Sequence, residues 1–320
     1  MRKWIVTTMV LGIVAASGCA KKPQAVSSGA ELQGTISLSG AFALYPMAVK
    51  WAEEFRKIHP QVQIDIAAGG AGKGMADCLS GVVDLGMVSR AINPAELEKG
   101  AFPLAVTKDA VVPTINRNNP AIAELLARGI TKQQAADIWV TGRITTWATL
   151  SVGKCNEPIH IFNRSDACGA AETWAQYMGK KQEDLNGFGV FGDPGVVEAV
   201  KKDPLGIGYN NVNFAYDAAT KKPMDSIAVL PLDINGNGKV DPEESFYDTR
   251  DALTKAIATG QYPSPPARVL YLVSKGKPGN KALVAFLKWI LVEGQGYVSD
   301  AGYVNLAPET IQAELKKLKD

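Results

Sequence analysis

An excess of either charge is what this 320-residue chain lacks. Its 34 lysines and arginines stand against 32 aspartates and glutamates. The surplus pair, Arg2 and Lys3, falls in residues 1–18, which hold no acid, so the rest balances at 32 against 32. A balanced chain presents no broad basic face, which argues against nucleic acid as a partner and confines any anion site to a local arrangement. Histidine is scarce as well. His59 precedes Pro60 at a helix end and His160 lies in an apolar strand, so both read as structural. An enzyme built on a cysteine nucleophile would lack a base nearby. Beyond the N-terminus no stretch approaches 18 apolar residues, so nothing else reads as a membrane span. The four cysteines are Cys19, Cys78, Cys155 and Cys168. If Cys19 is modified, three remain, one of them unpaired whatever the pairing, and the sequence does not choose among them. There is no internal repeat and no Walker A pattern, since Lys73 lacks the required Ser or Thr after it.

What is present begins with a processing signal. Arg2 and Lys3 form a charged start, and residues 4–16 are an apolar run of about 13 residues, too short to span a bilayer comfortably and right for a signal-peptide core. Ala16-Ser17-Gly18-Cys19 follows. It resembles a bacterial lipobox, with Ala16 where Leu is more usual, and implies cleavage before Cys19 and lipidation of its thiol. Residues 1–18 are read as signal peptide and 19–32 as a lipidated tether of small polar residues. The expected location is outside the cytoplasm, anchored to the bacterial membrane in the periplasm or at the cell surface.

Strands and helices alternate along the rest, which predicts an α/β fold. Residues 35–38 and 62–67 read as strands. Residues 46–58 read as a helix with Met47, Trp51 and Phe55 on one face. Residues 111–115 read as a strand crossing into a second region. The chain returns to the first region near residue 225, through strands at 227–232 and 268–273 and an amphipathic helix at 281–292. The division read from this is lobe 1 over 33–110 plus 225–320, and lobe 2 over 111–224.

Three turns carry the chemistry. Ser39-Gly40-Ala41-Phe42, Gly69-Gly70-Ala71-Gly72-Lys73-Gly74 and Asp166-Ala167-Cys168-Gly169-Ala170 each follow a strand and open a helix. Glycine permits close approach of backbone to a ligand, and the first-turn N–H groups with the helix dipole favour an anion. Arg164 beside the third turn adds a fixed cation with planar donors. Asp166 is read as orienting Arg164 or capping the next helix.

These turns, Val83-Asp84-Leu85-Gly86, the 164–170 segment, Trp147, Gly206-Ile207-Gly208-Tyr209 and the Gly294-Gln295-Gly296 and Gly302-Tyr303-Val304 pair resemble, in order and spacing over residues 33–308, the phosphate-binding proteins of bacterial phosphate ABC transporters. The resemblance implies a two-lobed periplasmic-binding-protein fold of type II with a central cleft. It implies no enzyme but a monomeric carrier that hands phosphate or a similar small oxyanion to a membrane permease. By position, Ala41, Phe42, Ala71 and Gly72 would offer N–H groups from lobe 1, and Arg164, Cys168, Gly169 and Ala170 would close from lobe 2. Asp84 would accept from a protonated phosphate oxygen, a carboxylate being an acceptor only. The chain departs from the family in its hydroxyl donors: Ala41, Phe42, Ala43, Ala71, Cys168 and Ala170 stand where Ser or Thr is usual. Such losses weaken phosphate binding or change the ligand, leaving an envelope interaction module, or a binder of another oxyanion, as the alternative.

Residues 233–244 fit the twelve-position calcium loop. Asp233, Asn235 and Asn237 fill positions 1, 3 and 5, Gly238 position 6, Lys239 position 7 through its carbonyl, Asp241 position 9 and Glu244 position 12. The segment before it reads as strand, so the expectation is a Ca²⁺-stabilised insertion rather than a helix–loop–helix.

Overall fold

The computed structural model describes Met1, residues 32–153 and residues 155–319. The signal-peptide reading, Cys19 and the tether to residue 31 lie outside the described residues. No helix among the described residues is long and apolar enough to cross a membrane.

Alternation of polar and apolar residues at Thr35-Ile36-Ser37-Leu38 builds β1 (Gly34–Gly40), which pairs in parallel with β2 (Val62–Ala68) on one side and β3 (Leu85–Val88) on the other. Between β1 and β2 runs helix Tyr45–Ile58, with a proline in its first turn and Arg56 and Lys57 in its last, both favourable placements. It buries Met47, Trp51 and Phe55 at the predicted four-residue spacing, and the Trp51 indole donates to the Gly294 carbonyl at 2.8 Å.

The remaining strands are β4 (Ala101–Asn116), β5 (His160–Arg164), β6 (Phe188–Val190), β7 (Gly206–Asn211), β8 (Ile227–Val229) and β9 (Ala267–Lys275). Among the described residues the sheet has nine strands in the order β2-β1-β3-β9-β4-β7-β5-β6, with β8 also on β4. β4 joins the two ends of this sheet. Its residues 101–110 run antiparallel to β9, with a register shift between Ala105 and Thr107, and residues 111–115 run antiparallel to β7. The predicted crossing strand is thus the second half of a 16-residue strand. The first half was missed because Pro103, Lys108 and Asp109 interrupt its apolar pattern.

Among the described residues the buried apolar side chains form two large clusters that meet along β4 and β9, with a small third one of Val196, Val197, Val200 and Ile227. One takes residues 36–106 and 270–318, around Trp51, Phe55, Phe286 and Tyr303. The other takes residues 110–267 with Val304, around Trp139, Trp147, Trp174, Tyr209 and Tyr262. The buried apolar residues within 228–267, a stretch read from sequence with the first lobe, belong to the second cluster. Helix Arg250–Thr259 carries Leu253, Ala256 and Ile257 into it.

Candidate functional site

Close backbone contact assembles the three turns. Gly40 ends β1 at φ 134°, and a Cβ on Gly74 would lie 2.6 Å from the Ser39 carbonyl oxygen and 2.8 Å from that of Met87. Only glycine lets helix Ala71–Ser80 seat its start against β1 and β3. That helix opens at Gly70, φ 90°, a conformation L side chains rarely adopt. The second turn meets the third directly: the Gly72 N–H donates to the Ala167 carbonyl at 3.0 Å. A Cβ on Gly169 would stand 2.2 Å from the Ser89 carbonyl oxygen, so the end of β3 presses on the start of helix Gly169–Tyr177. The 41–42, 70–72 and 167–170 corners therefore converge, the third from more than 90 residues further along the chain.

Arg164 ends β5 and is buried. Its Nε and Nη2 donate to the two Asp166 oxygens at 2.8 and 2.6 Å, and Nη1 donates to Asp193 Oδ2 at 2.6 Å. The Phe42 ring lies over the guanidinium at 5.3 Å, and Phe191 and Phe214 meet Phe42 edge-on. Burial alone would lower the Arg164 pKa; the Asp193 and Asp166 carboxylates outweigh it and hold the group above its ordinary value. Asp166 thus orients Arg164, as read from sequence, and also accepts from the Gly192 N–H at 3.1 Å. Asp193 was missed. It sits near the start of helix Gly192–Lys202, wholly buried, and no local pattern separates it from a helix-start acid. With one cation between two carboxylates, three of the five guanidinium N–H groups are engaged by these carboxylates.

The expected backbone donors divide in two. Ala41 N–H donates to the Met87 carbonyl at 2.8 Å, Gly72 N–H to Ala167, and Cys168 N–H to the Gln182 side-chain oxygen at 3.1 Å. These three are held by protein acceptors in this arrangement, a correction to their reading as open donors. The N–H groups of Phe42, Ala71, Gly169 and Ala170 stand at the first turns of their helices, where no intrahelical acceptor exists. Gln182 was missed as well. Its amide nitrogen donates to the Asp166 carbonyl at 2.7 Å, so one side chain bridges Asp166 and Cys168 of the third turn.

Asp84 is not at these turns. In register it lies level with Ser37, three residues before Gly40, and its carboxylate accepts the Ser37 N–H and hydroxyl, both at 2.8 Å. It caps a strand start, and the acceptor role implied for it has no geometric basis. The residue that reaches the turns from β3 is Ser89, buried against Gly169. Its signal was positional: it follows β3 as Ala41 follows β1. Arg90 forks onto Glu96 at 2.9 and 2.7 Å.

Cys168 caps its helix, Sγ accepting the Ala171 N–H at 3.3 Å. Burial pushes its thiol up to about 12, against the pull of the Arg164 charge. Cys78, Cys155 and Cys168 are all buried free thiols. His160 pairs with Asp203 at 2.6 Å, a structural contact.

In the 233–244 loop Asp233 accepts the N–H groups of Gly236, Asn237 and Gly238 at 2.8 to 3.2 Å, and Glu244 those of Ile234, Asn235 and Asp241. Asn235 and Asn237 donate to Asp241, and Lys239 reaches it at 2.6 Å. Asp233 and Glu244 are buried. Among the described residues no group of three or more His, Cys, Asp or Glu is gathered as a metal cage.

The family model of the PBP superfamily domain matches residues 25–293. The phosphate-binding protein PstS of Staphylococcus epidermidis is 26% identical over 328 residues, covering 100% of this chain and 94% of that protein. PstS of Methanocaldococcus jannaschii is 26% identical over 356 residues, covering 95% and 90%. A Clostridium perfringens protein, described as a phosphate ABC transporter substrate-binding protein and solved with bound phosphate, superposes with TM-score 0.70 at 23% identity, over 86% of this chain and 100% of that one. An ABC-type phosphate transport receptor from Vibrio cholerae gives TM-score 0.61 at 19% identity, over 85% and 100%. The fold is therefore the mixed α/β periplasmic-binding-protein fold that the resemblance implied. A family match over most of the length, on a chain whose three turns close around a buried arginine, makes this protein a member of the PBP superfamily domain family.

Proposed function

We propose that this chain is a solute-binding protein that captures phosphate, or a small oxyanion of the same shape, and presents it to an ABC permease. The observation that carries the reading is the convergence of three helix-opening turns on Arg164, buried at the contact where Gly72 meets Ala167. Helix N-termini and a planar cation suit a tetrahedral oxyanion, and the relatives named above are phosphate-binding proteins. The role is read as one of binding rather than chemistry, since burial holds the Cys168 thiol up at about 12, far from the reactive thiolate. The two core clusters are read as two lobes that open and close about β4 and β9, the 228–267 segment moving with the second. Export and lipidation at Cys19 would hold a monomer at the membrane beside its permease.

Calorimetric titration of the purified protein with phosphate, sulfate, arsenate and molybdate tests the reading. Phosphate should bind, and Arg164→Ala should abolish binding; unchanged affinity in that variant refutes the site. A second reading has its own support. Ala41, Gly72 and Cys168 N–H groups are held internally, the Ser and Thr donors are absent, and Phe42 covers Arg164. Each lost hydrogen bond to a charged ligand costs about 1–3 kcal/mol, enough in sum for several decades of affinity. Failure to bind any of the four anions at millimolar concentration favours an interaction module that has kept the fold.

Calcium at 233–244 is the proposal's other part. Oxygen ligands at alternate positions suit a hard cation, and the Asp233 and Glu244 carboxylates would exchange some of their N–H partners for it. Ca²⁺ should raise the thermal midpoint, and chelator should reverse the rise. A midpoint indifferent to chelator, together with unaltered stability of Glu244→Ala, rules this out.

A further inference from the structure

Arg164 is held from beyond its own loop. Asp193 Oδ2, which takes the Arg164 Nη1 hydrogen, also accepts from Asn211 Nδ2 at 2.7 Å, while Oδ1 accepts the Asn211 N–H at 2.9 Å. Asn211 is the last residue of β7. Its Oδ1 accepts in turn from Arg268 Nη2. Arg268 donates to both oxygens of Asp109, at 2.9 and 3.3 Å, and through Nη1 to the Thr173 hydroxyl at 3.1 Å. Asp109 and Arg268 face each other in register on β4 and β9, where one core cluster gives way to the other. Thr173 lies on helix Gly169–Tyr177, which opens at the third turn. Asp109, Thr173, Asp193 and Asn211 are each at most 3% exposed.

The chemistry of the Asn211 amide makes this more than a list of contacts. Its nitrogen must face Asp193, because a flipped amide would set an oxygen against that carboxylate, two acceptors with no proton between them. What holds the oxygen on the other side is the Arg268 donor. We infer that Arg268, anchored by Asp109 across β4 and β9, is a positioning residue for the oxyanion site: it orients Asn211, and through Asn211 and Asp193 it aims the Arg164 guanidinium, while its bond to Thr173 fixes the helix that opens at the third turn. The inference rests on the reading of Arg164 as the ligand-binding cation. Burial raises the Asp109 carboxyl and the Arg268 charge opposes that rise. Lysine would not substitute, since one ammonium cannot reach Asp109, Thr173 and Asn211 together as a planar fork does.

The test compares Arg268→Lys and Arg268→Met with the parent protein by three readouts: the thermal midpoint, the phosphate dissociation constant, and the Arg164 Nε–H resonance without ligand, assigned with Arg164→Lys. Arg268→Met should weaken phosphate binding about tenfold, a size typical of coupling through a buried network, and should move or broaden the Arg164 signal. Arg268→Lys should recover much of the midpoint but not the affinity. If Arg268→Lys binds phosphate as the parent does with the Arg164 signal in place, the inference is overturned, even if Arg268→Met fails to fold. A lowered midpoint with neither affinity nor signal changed shows a structural ion pair only and overturns it too. If the parent takes no phosphate while the Arg164 signal still shifts in Arg268→Lys, the phosphate reading fails and the positioning role stands.

Discussion

Phe42 and Cys168 set the character of the site at the residue scale. Both stand where the resemblance implied a hydroxyl donor, and each does something a hydroxyl would not. Phe42 lays its ring over Arg164 at 5.3 Å and packs on Gly192, where a Cβ would meet the ring at 2.9 Å. Phe42→Ser should therefore uncover the guanidinium and restore a donor, raising phosphate affinity roughly tenfold or more, the size of one hydrogen bond to a charged ligand. Calorimetry decides it, and unchanged or weaker binding would place the ring off the ligand's path. Cys168 is a buried cap whose thiol is pushed up to about 12. Only a thiolate is a good nucleophile, so native protein at pH 8 should resist iodoacetamide at this residue, and unfolded protein should react. Fast native labelling would contradict the buried cap. Arg164 and the orienting role of Asp166 were legible because they sit within one short motif. Asp193, Gln182 and Ser89 were not, because each reaches the site from a separate segment, and Asp84 was misplaced because its strand register is invisible in sequence.

The informative elements are the turns that open helices. Their glycines serve contact between backbones as much as space for a ligand. Gly74 is the clearest case, since a Cβ there meets three backbone atoms of Ser39, Gly40 and Met87 within 2.8 Å. Backbone cannot rotate away as a side chain can, so Gly74→Ala should cost about 1–3 kcal/mol of stability from overpacking, seen as a lowered denaturation midpoint. A neutral effect would show that helix Ala71–Ser80 shifts freely on β1. The periodic elements were legible: the helix over 46–58 is observed at Tyr45–Ile58 and the one over 281–292 at Lys281–Leu291. Strand β6 and the first half of β4 were not, being short in one case and interrupted by polar residues and proline in the other. Pairing with neighbours, rather than local preference, makes them strands.

For the whole molecule, the charge balance that excluded a basic face also shapes its response to acid. Hydrogen bonds from Lys50 and then Lys57 lower Glu54 to about 2, and those from Lys239, Asn235 and Asn237 lower Asp241 to about 2. A carboxyl lowered by folding contributes stability that is present above its unfolded pKa and lost as pH falls through the folded one. The thermal midpoint should therefore decline between about pH 4.5 and pH 2, and Glu54→Gln should flatten part of that decline; an unchanged profile would mean the lysine contacts do not persist in solution. By itself the sequence determined the alternation of strands and helices, the amphipathic faces and the three glycine turns, since these follow from residue spacing along one segment. Only the tertiary structure decided that β4 pairs with β9 and then β7, that residues 228–267 join the second core, and that Arg164 lies between two carboxylates. Those outcomes depend on contacts between residues far apart in the chain, where burial and hydrogen-bond geometry, rather than local pattern, select the partner.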